Sequence, residues 1–277
     1  MKLQTSGVLG TSYVFAKLAP KRVNITADIL EKLFKGTSKE RLEKVANIIN
    51  KYSDKFEINT PTRMAYFLGQ VGHETGGFSN DNAYKEATCY PVSNVNWKIW
   101  FNLTWKEPPY NRTACSNETI KIGKRKNQDW TSIDKVPKKY VCGSGVGTNK
   151  ENGINLFSYV YRCEGGNGDE ASQEGYKYRG HGFIHLTWKK QYEEFNQYLI
   201  SKGIPNDYKG ILSDPDTAFD DIEIATLSGM WFWQTNKINN DADKDNFEDV
   251  CGKINSGCDQ YDKRKKYTES AKKILKP

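Results

Sequence analysis

Apolar residues recur at helical spacing through the first third of the chain. After Thr26 they follow an i, i+1, i+4, i+5 pattern, which predicts an amphipathic helix with Thr26 as its N-cap. The same spacing over 39–52 predicts a second helix. A third begins at Thr60-Pro61, where threonine can cap and proline fits the first turn, and it ends at Gly76-Gly77.

Helical spacing resumes in the C-terminal half of the chain. It covers 188–199, 214–233, 247–254 and 261–275, and alternation with a period of two residues is scarce. Residues 88–150 lack clear periodicity, and the glycine-rich run 165–168 indicates a loop. The pattern predicts a mainly α fold. We expect an N-terminal extension over 1–23 and one catalytic domain over 24–277 that contains an irregular insertion.

Composition narrows the class of protein. The 277 residues include 7 Trp, 16 Tyr and 12 Phe, enough bulky side chains for a core, so global disorder is excluded. With 41 basic and 34 acidic residues the net charge is +7, which favours an anionic partner. No apolar run approaches the roughly 18 residues of a membrane span. The scattered basic residues and the absence of a nucleic-acid-binding signature argue against nucleic acid.

The six cysteines carry information about the compartment. None forms a Cys-x-x-Cys pair, so neither a structural zinc nor any other cofactor is expected. Buried free thiols remain an alternative, but four cysteines fall within 89–163 and favour one or two bridges there, as in an oxidising environment. The N-terminus has no convincing signal peptide. A protein without one would be cytosolic, or would be released by lysis or a dedicated injection machine.

Glu74 is the first candidate for chemistry. It follows Val71 by three residues and Phe67 by seven, so it projects from the apolar stripe of the third helix. Burial and the C-terminal end of the helix dipole both oppose ionisation there, as a general acid requires. A structural glutamate paired with His73 or an arginine is the alternative, and spacing alone favours it.

The three histidines fall in two short motifs. His73 precedes Glu74, whereas His181 and His185 alternate with Thr187 in a way that predicts one face of an extended segment. No helical His-x-x-x-His pair occurs, so hydrogen bonds to substrate are favoured over a metal site.

Four collinear stretches resemble glycoside hydrolase family 19, which includes chitinases and phage and bacterial lysins. Residues 58–78 contain His-Glu-Thr-Gly-Gly, and 167–187 contain Asn-Gly-Asp-Glu-Ala-Ser followed by Tyr-Arg-Gly-His-Gly-Phe-Ile-His-Leu-Thr. Residues 225–233 end in Trp-Phe-Trp, and 254–257 read Ile-Asn-Ser-Gly. The resemblance covers most of 25–275 except about 88–150. It implies a lysozyme-like, two-lobed fold with a glycan cleft, and inverting hydrolysis of β-1,4 bonds beside N-acetylated sugars.

The resemblance also implies roles for residues at matching positions. Glu74 becomes the general acid, and Thr187 the hydroxyl that helps to hold the attacking water. Sugar contacts are implied for His185, Gln191 and Asn255.

Further site residues leave alternatives open. His73 is expected to bind substrate. For Tyr178 and Arg179, as for Asn255, contact with sugar and bracing of the loop are equally favoured.

The chain also departs from the family pattern. His185 stands where a glutamine is usual, and His181 where an arginine is usual, so a group that titrates near neutral pH enters the site. No motif anchors the second carboxylate, and an inverting pair needs about 6.5–9.5 Å between its carboxyl groups. We predict Glu86 as the base, with Asp81 as the substitute and a solvated surface role for Glu86 as the alternative. A structural role is expected for Asp169 and Glu170.

Three functions compete at this point. The motifs and the charge favour a peptidoglycan-cleaving, endolysin- or muramidase-like hydrolase. A chitinase would use the same mechanism on a neutral polymer. A catalytically silent glycan-binding part of a phage tail or secreted assembly is the third hypothesis. The residues Trp97, Trp100 and Trp105 are expected to pack a small core rather than stack on sugar.

Overall fold

A computed structural model describes residues 22–79, 84–89, 138–204 and 210–276. Its first three helices are α1 (Ala27–Leu33), α2 (Lys39–Tyr52) and α3 (Pro61–Glu74). Each begins at a hydroxyl residue whose side chain accepts a backbone N–H three residues on, which satisfies one of the free donors of the first turn. The three predicted helices are confirmed.

The rest of the described chain is also mainly helical. The further helices are α4 (Asn149–Val160), α5 (Glu174–Lys177), α6 (Lys189–Ser201), α7 (Gly210–Ser213), α8 (Pro215–Ala218), α9 (Ile222–Thr235), α10 (Asn239–Ala242), α11 (Phe247–Ile254) and α12 (Tyr261–Leu275). Within the described ranges, β pairing is limited to two isolated antiparallel bridges, Lys85 with His181 and His181 with Leu186. The predicted mainly α class is confirmed. The single helical region expected over 214–233 is two helices, because Asp221 caps a new one.

Helix α4 has no counterpart in the sequence prediction. It holds three asparagines and Gly153, all weak helix formers, although a capping box between Thr148 and Glu151 starts it. A Cβ at position 153 would lie 2.0 Å from the carbonyl oxygen of Thr88. The glycine therefore allows α4 to contact the segment 84–89 directly.

The buried apolar side chains of the described chain form two groups. The larger core draws on 23–84 and 178–275, and at its centre α3 packs so closely on α12 that a Cβ at Gly69 would lie 2.1 Å from the Thr268 hydroxyl. Buried side chains within 140–163, among them Leu156 and Phe157, lie outside that core. The segment 84–89 connects a large and a small lobe.

Two disulfides reinforce this arrangement. Cys89–Cys142 ties the end of the segment 84–89 to the small lobe, within the region where a bridge was expected. Cys251–Cys258 closes the turn between α11 and α12, which was not foreseen.

Some expectations fall outside the described residues. These are Asp81, the tryptophans Trp97, Trp100 and Trp105, and residues 1–21 of the expected N-terminal extension. In the part of the chain that is described, no helix is both long and apolar enough to cross a bilayer.

Candidate active site

Glu74 ends α3 and is held by an arginine from α12. Its Oε1 accepts a hydrogen bond from Arg264 Nη2 at 2.5 Å, and the two side chains are 20% and 2% exposed respectively. Arg264 also donates to Gln70 Oε1 at 3.2 Å and to the carbonyl of Asp259 at 2.8 Å. Pairing with an arginine, the structural alternative, is therefore present at an accessible carboxyl.

His73 lies beside this ion pair. Its Nδ1 is buried and has no hydrogen-bond partner among the described residues. Burial lowers the pKa of His73, and the charges of Arg264 and Lys263 lower it further. The imidazole is therefore largely neutral, and its buried Nδ1 does not show how the ring would reach a substrate.

Glu86 is held on the other side of the site by neutral donors. Its backbone N–H donates to the Gly180 carbonyl at 2.7 Å, and the Gly180 N–H donates to its Oε2 at 3.0 Å. The Tyr161 hydroxyl donates to Oε1 at 3.0 Å. Burial raises the pKa of Glu86, and these hydrogen bonds only partly offset it. A solvated surface role for Glu86 is therefore wrong.

The segments that carry the two carboxyls rest on one aromatic cluster. Phe78, four residues after Glu74, lies 5.2 Å from Phe183 between ring centroids. Tyr84, two residues before Glu86, lies 5.1 Å from the same ring. Phe183 therefore fixes both segments relative to each other.

The segment 178–187 is a tight turn rather than the extended strand predicted. His181 and Leu186 exchange two backbone hydrogen bonds, of 3.0 and 2.7 Å, around Gly182 and His185, whose φ angles are 82° and 51°. A Cβ at Gly180 would lie 2.8 Å from His185 Cβ and 3.3 Å from Glu86 Oε2. His185 and the carboxylate of Glu86 thus lie against the same glycine.

His181 points away from this face, so its expected contact with substrate is wrong. It is fully buried, and its Nε2 lies 3.0 Å from Asp216 Oδ1. Its Nδ1 lies 2.6 Å from the Tyr192 hydroxyl. Burial lowers the pKa of His181, and the hydrogen bond with Asp216 opposes this effect only in part.

Tyr178 and Arg179 brace the turn. Tyr178 is 3% exposed and donates to the carbonyl of Leu212 at 2.9 Å. Arg179 is 2% exposed, and both of its Nη atoms donate to the carboxylate of Asp216. The geometry favours bracing over sugar contact for this pair.

Thr187 and Gln191 lie with His185 at the N-terminal end of α6. The Thr187 hydroxyl donates to the His185 carbonyl at 2.9 Å, and the Thr187 N–H donates to Gln191 Oε1 at 3.2 Å. All three side chains are partly exposed. The Thr187 oxygen keeps lone pairs that can accept from a water.

Asn255 belongs to the Glu74 side. Its Oδ1 accepts from the backbone N–H groups of Gly257 at 3.1 Å and Asp259 at 3.3 Å. Because the Asp259 carbonyl accepts from Arg264, Asn255 shapes the turn that holds the partner of Glu74.

Acidic residues outside the pair have structural roles. Asp169 caps a short 3₁₀ turn, and Glu170 accepts from the Tyr140 hydroxyl at 2.8 Å, in line with the structural role expected for both. Across the described ranges, no group of three or more His, Cys, Asp or Glu side chains could hold a metal ion.

The fold and site define a mainly helical protein with two carboxyls held in contrasting environments. No family model matches the chain. It is 24% identical over 203 residues to a glycosyl hydrolase family 19 domain-containing protein of Haemophilus influenzae. The matched region covers 73% of this chain and 74% of that protein. The resemblance to glycoside hydrolase family 19 is thereby confirmed, and it supports a glycoside hydrolase.

Two solved structures of chitinase C align over 91% of this chain and 92% of theirs. A glutamate-to-glutamine mutant has a TM-score of 0.46 and 16% identity. The enzyme of Streptomyces griseus HUT6037 has a TM-score of 0.45 and 15% identity.

Proposed function

We propose that this protein hydrolyses β-1,4 glycosidic bonds beside N-acetylated sugars, with inversion at the anomeric carbon. The carrying observation is a pair of carboxyls, Glu74 within a family motif and Glu86 held by Gly180 of another motif. Glu74 is accessible and paired with a cation, and Glu86 is partly buried with a raised pKa. Both segments rest on Phe183.

Each environment strengthens the role proposed for its carboxyl. Arg264 fixes the Glu74 carboxyl at the accessible end of α3, where a general acid could reach the glycosidic oxygen. Burial makes an ionised Glu86 a stronger base for the attacking water. His185 lies against the glycine that holds Glu86, and the Thr187 hydroxyl donates to the His185 carbonyl, so both could orient that water and the sugar.

We propose peptidoglycan rather than chitin as the polymer, and the distribution of charge supports this choice. Helix α12 carries six basic and two acidic residues, a large share of the net charge of +7. Lys263, Lys266 and Lys273 are exposed on one side of it, and Lys263 is close enough to lower the pKa of His73. Carboxylates on the peptide stems of the wall would be attracted to this face, whereas chitin is neutral.

The first experiment measures reducing-end release from purified peptidoglycan and from chitin, with Glu74→Gln as control. Glu74-dependent release from peptidoglycan alone is expected. Release from chitin alone would make the protein a chitinase. Binding to either polymer without release of reducing ends would show that the protein is a glycan-binding module rather than an enzyme. The NMR signal of the first anomer released tests inversion.

A charge-reversal pair tests the role of α12. Lys263, Lys266 and Lys273 are changed together to glutamate, and the matched control changes the exposed Lys202, Lys237 and Lys244, which also form no ion pair with a described residue. We expect the first triple variant to lose activity on peptidoglycan at low salt and to approach wild type at high salt, where charges are screened. Equal losses in both triples would remove the specific role of α12.

We propose that the protein works at the bacterial cell wall, outside the reducing cytosol. The bridges Cys89–Cys142 and Cys251–Cys258 support this, since such bonds persist in oxidising compartments. Thiol titration of the native protein should find these four cysteines unreactive until a reductant is added. Reactive thiols at these positions would contradict the proposal.

A further inference from the structure

The base candidate Glu86 is held by two residues of the turn, because Arg179 Nε donates to its backbone carbonyl at 3.4 Å and Gly180 holds it more closely. Gly180 binds it at both backbone groups, accepting from the Glu86 N–H at 2.7 Å and donating to Oε2 at 3.0 Å. Glycine has no side chain, so its position depends on its neighbours Arg179 and His181.

Both neighbours bind the same carboxylate. Arg179 donates to Asp216 through two nitrogens, one of them at 3.2 Å from Oδ2, and His181 Nε2 lies 3.0 Å from Oδ1. The side chains of Arg179 and His181 are 3% and 0% exposed, whereas that of Asp216 is 38% exposed. The Tyr192 hydroxyl adds a hydrogen bond to the Arg179 carbonyl. Asp216 therefore anchors the buried residues on both sides of Gly180.

We propose that Asp216 is a positioning residue for Glu86, acting through Arg179, His181 and the amide of Gly180. It touches neither Glu86 nor the region where substrate would bind, so its effect is transmitted through the turn. Its effect on catalysis rests on the proposed function, but its effect on the geometry of Glu86 does not.

The charge of Asp216 also affects the pKa of Glu86, because it offsets the charge of Arg179. Burial works against ionisation of Asp216, but hydrogen bonds from His181 and Arg179, together with the charge of Arg179, hold its pKa well below the usual range. The groups facing Glu86 are Tyr161, His185 and Arg179. Without the charge of Asp216, the cation of Arg179 would act on Glu86 unopposed, favour its carboxylate and lower its pKa.

The test compares Asp216→Asn with Asp214→Asn. Asp214 lies two residues earlier and caps the same helix through Thr217, with no hydrogen bond to the described residues of the turn. Asparagine caps equally well. Both variants remove one negative charge from α8. The readouts are the carbon-13 NMR titration of the Glu86 carboxyl and hydrogen exchange at the Gly180 amide.

For Asp216→Asn we expect Glu86 to titrate at lower pH and the Gly180 amide to exchange about tenfold faster or more, as local opening becomes easier. Asp214→Asn should change neither, and Asp216→Glu should restore the titration in part because it keeps the charge. Unchanged Glu86 titration and Gly180 exchange in a folded Asp216→Asn, or equal changes in both variants, would overturn the proposal.

If Asp216→Asn does not fold, the comparison of Asp216→Glu with Asp214→Asn decides, because a displaced carboxylate must still alter exchange at Gly180. Activity is a separate readout. A wild-type protein that cleaves no glycan would end the proposed function, while the two NMR measurements would still decide the role of Asp216.

Discussion

The two sides of the site hold their carboxyls by opposite means. Glu74 ends a regular helix inside the large core, is one-fifth exposed and has a full positive charge as its partner. Glu86 lies on an irregular segment between the lobes, and its oxygens accept from a backbone amide and a tyrosine hydroxyl. The first carboxyl lies in an ion pair, whereas burial disfavours the ionised form of the second.

The contrast concerns how each carboxyl is held. The ion pair with Arg264 fixes the position of Glu74. Burial makes an ionised Glu86 a better proton acceptor but raises the pH at which it ionises. The ionised form of Glu86 is therefore present in a smaller fraction of molecules.

The largest expected effect separates the two roles. Glu74→Gln should lower the rate on natural polymer by about 10²–10⁴, the usual contribution of a positioned general acid. On a glycoside with a highly acidic leaving group, which departs without protonation, the variant should approach the wild-type rate. The ratio of the two rates in each protein is the measurement.

Glu86→Gln should lose a similar factor of about 10²–10⁴ on the natural polymer but gain nothing from the better leaving group, because the water still lacks its base. If Glu86→Gln approaches the wild-type rate on the activated glycoside and Glu74→Gln does not, then Glu86 is the acid and Glu74 the base.

The same two variants should differ in stability. Glu74→Gln leaves the buried Arg264 without its counter-charge, at a cost of about 1–3 kcal/mol in the free energy of unfolding. The raised pKa of Glu86 means that the folded protein holds this proton more tightly than the unfolded chain does. Stability therefore falls as pH rises from the ordinary glutamate range through the raised pKa.

Glu86→Gln removes this pH-dependent loss. Its melting temperature should exceed that of wild type at neutral pH and approach it below pH 4, while Glu74→Gln should melt lower than wild type at neutral pH. Thermal melts of the three proteins across this range measure the effect. Two variants that melt alike at neutral pH would show that the contrast between the environments has no energetic consequence.

Sequence patterns predicted the Glu74 side well because that side consists of regular helices. Helical spacing and caps placed α3 and α12, and the stripe of Phe67 and Val71 identified Glu74. Its partner was missed, although a signal existed. Arg264 shares a helical face with the buried Thr268, Ala271 and Leu275 and so lies on the apolar stripe of a basic helix.

The Glu86 side was less predictable because it depends on contacts between distant segments. Glu86 itself was named, but Tyr161 and Asp216 were not, since they lie 75 residues from Glu86 and 37 from Arg179 respectively. The spacing of His181, His185 and Thr187 predicted an extended segment, whereas the positive φ of Gly182 allows the chain to turn there.

A smaller change sharpens the contrast from the Glu86 side. Tyr161→Phe removes a hydrogen bond that favours the ionised carboxylate and should raise the pKa of Glu86 further. The acidic limb of the kcat/KM profile reports protonation of the base, so it should move to higher pH with only a several-fold loss at the optimum. Tyr140→Phe, which removes a hydroxyl that bonds to Glu170 instead, serves as control. If the acidic limb moves in both variants, or in neither, the Tyr161 hydroxyl does not set the pKa of Glu86.

The smallest expected effect concerns Asn255, which supports Glu74 indirectly through the turn that holds Arg264. Its Oδ1 accepts two backbone N–H groups, so Asn255→Ala should cost about 1 kcal/mol of stability and loosen the turn that holds Arg264. Asn255→Asp keeps that acceptor but replaces the amide donor by an oxygen. If Asn255 only shapes the turn, the aspartate variant should keep both the wild-type melting temperature and KM. If its Nδ2 also binds sugar, KM should rise several-fold while the melting temperature stays unchanged. Because the two variants separate the acceptor from the donor, the pair decides between the two roles left open for this residue.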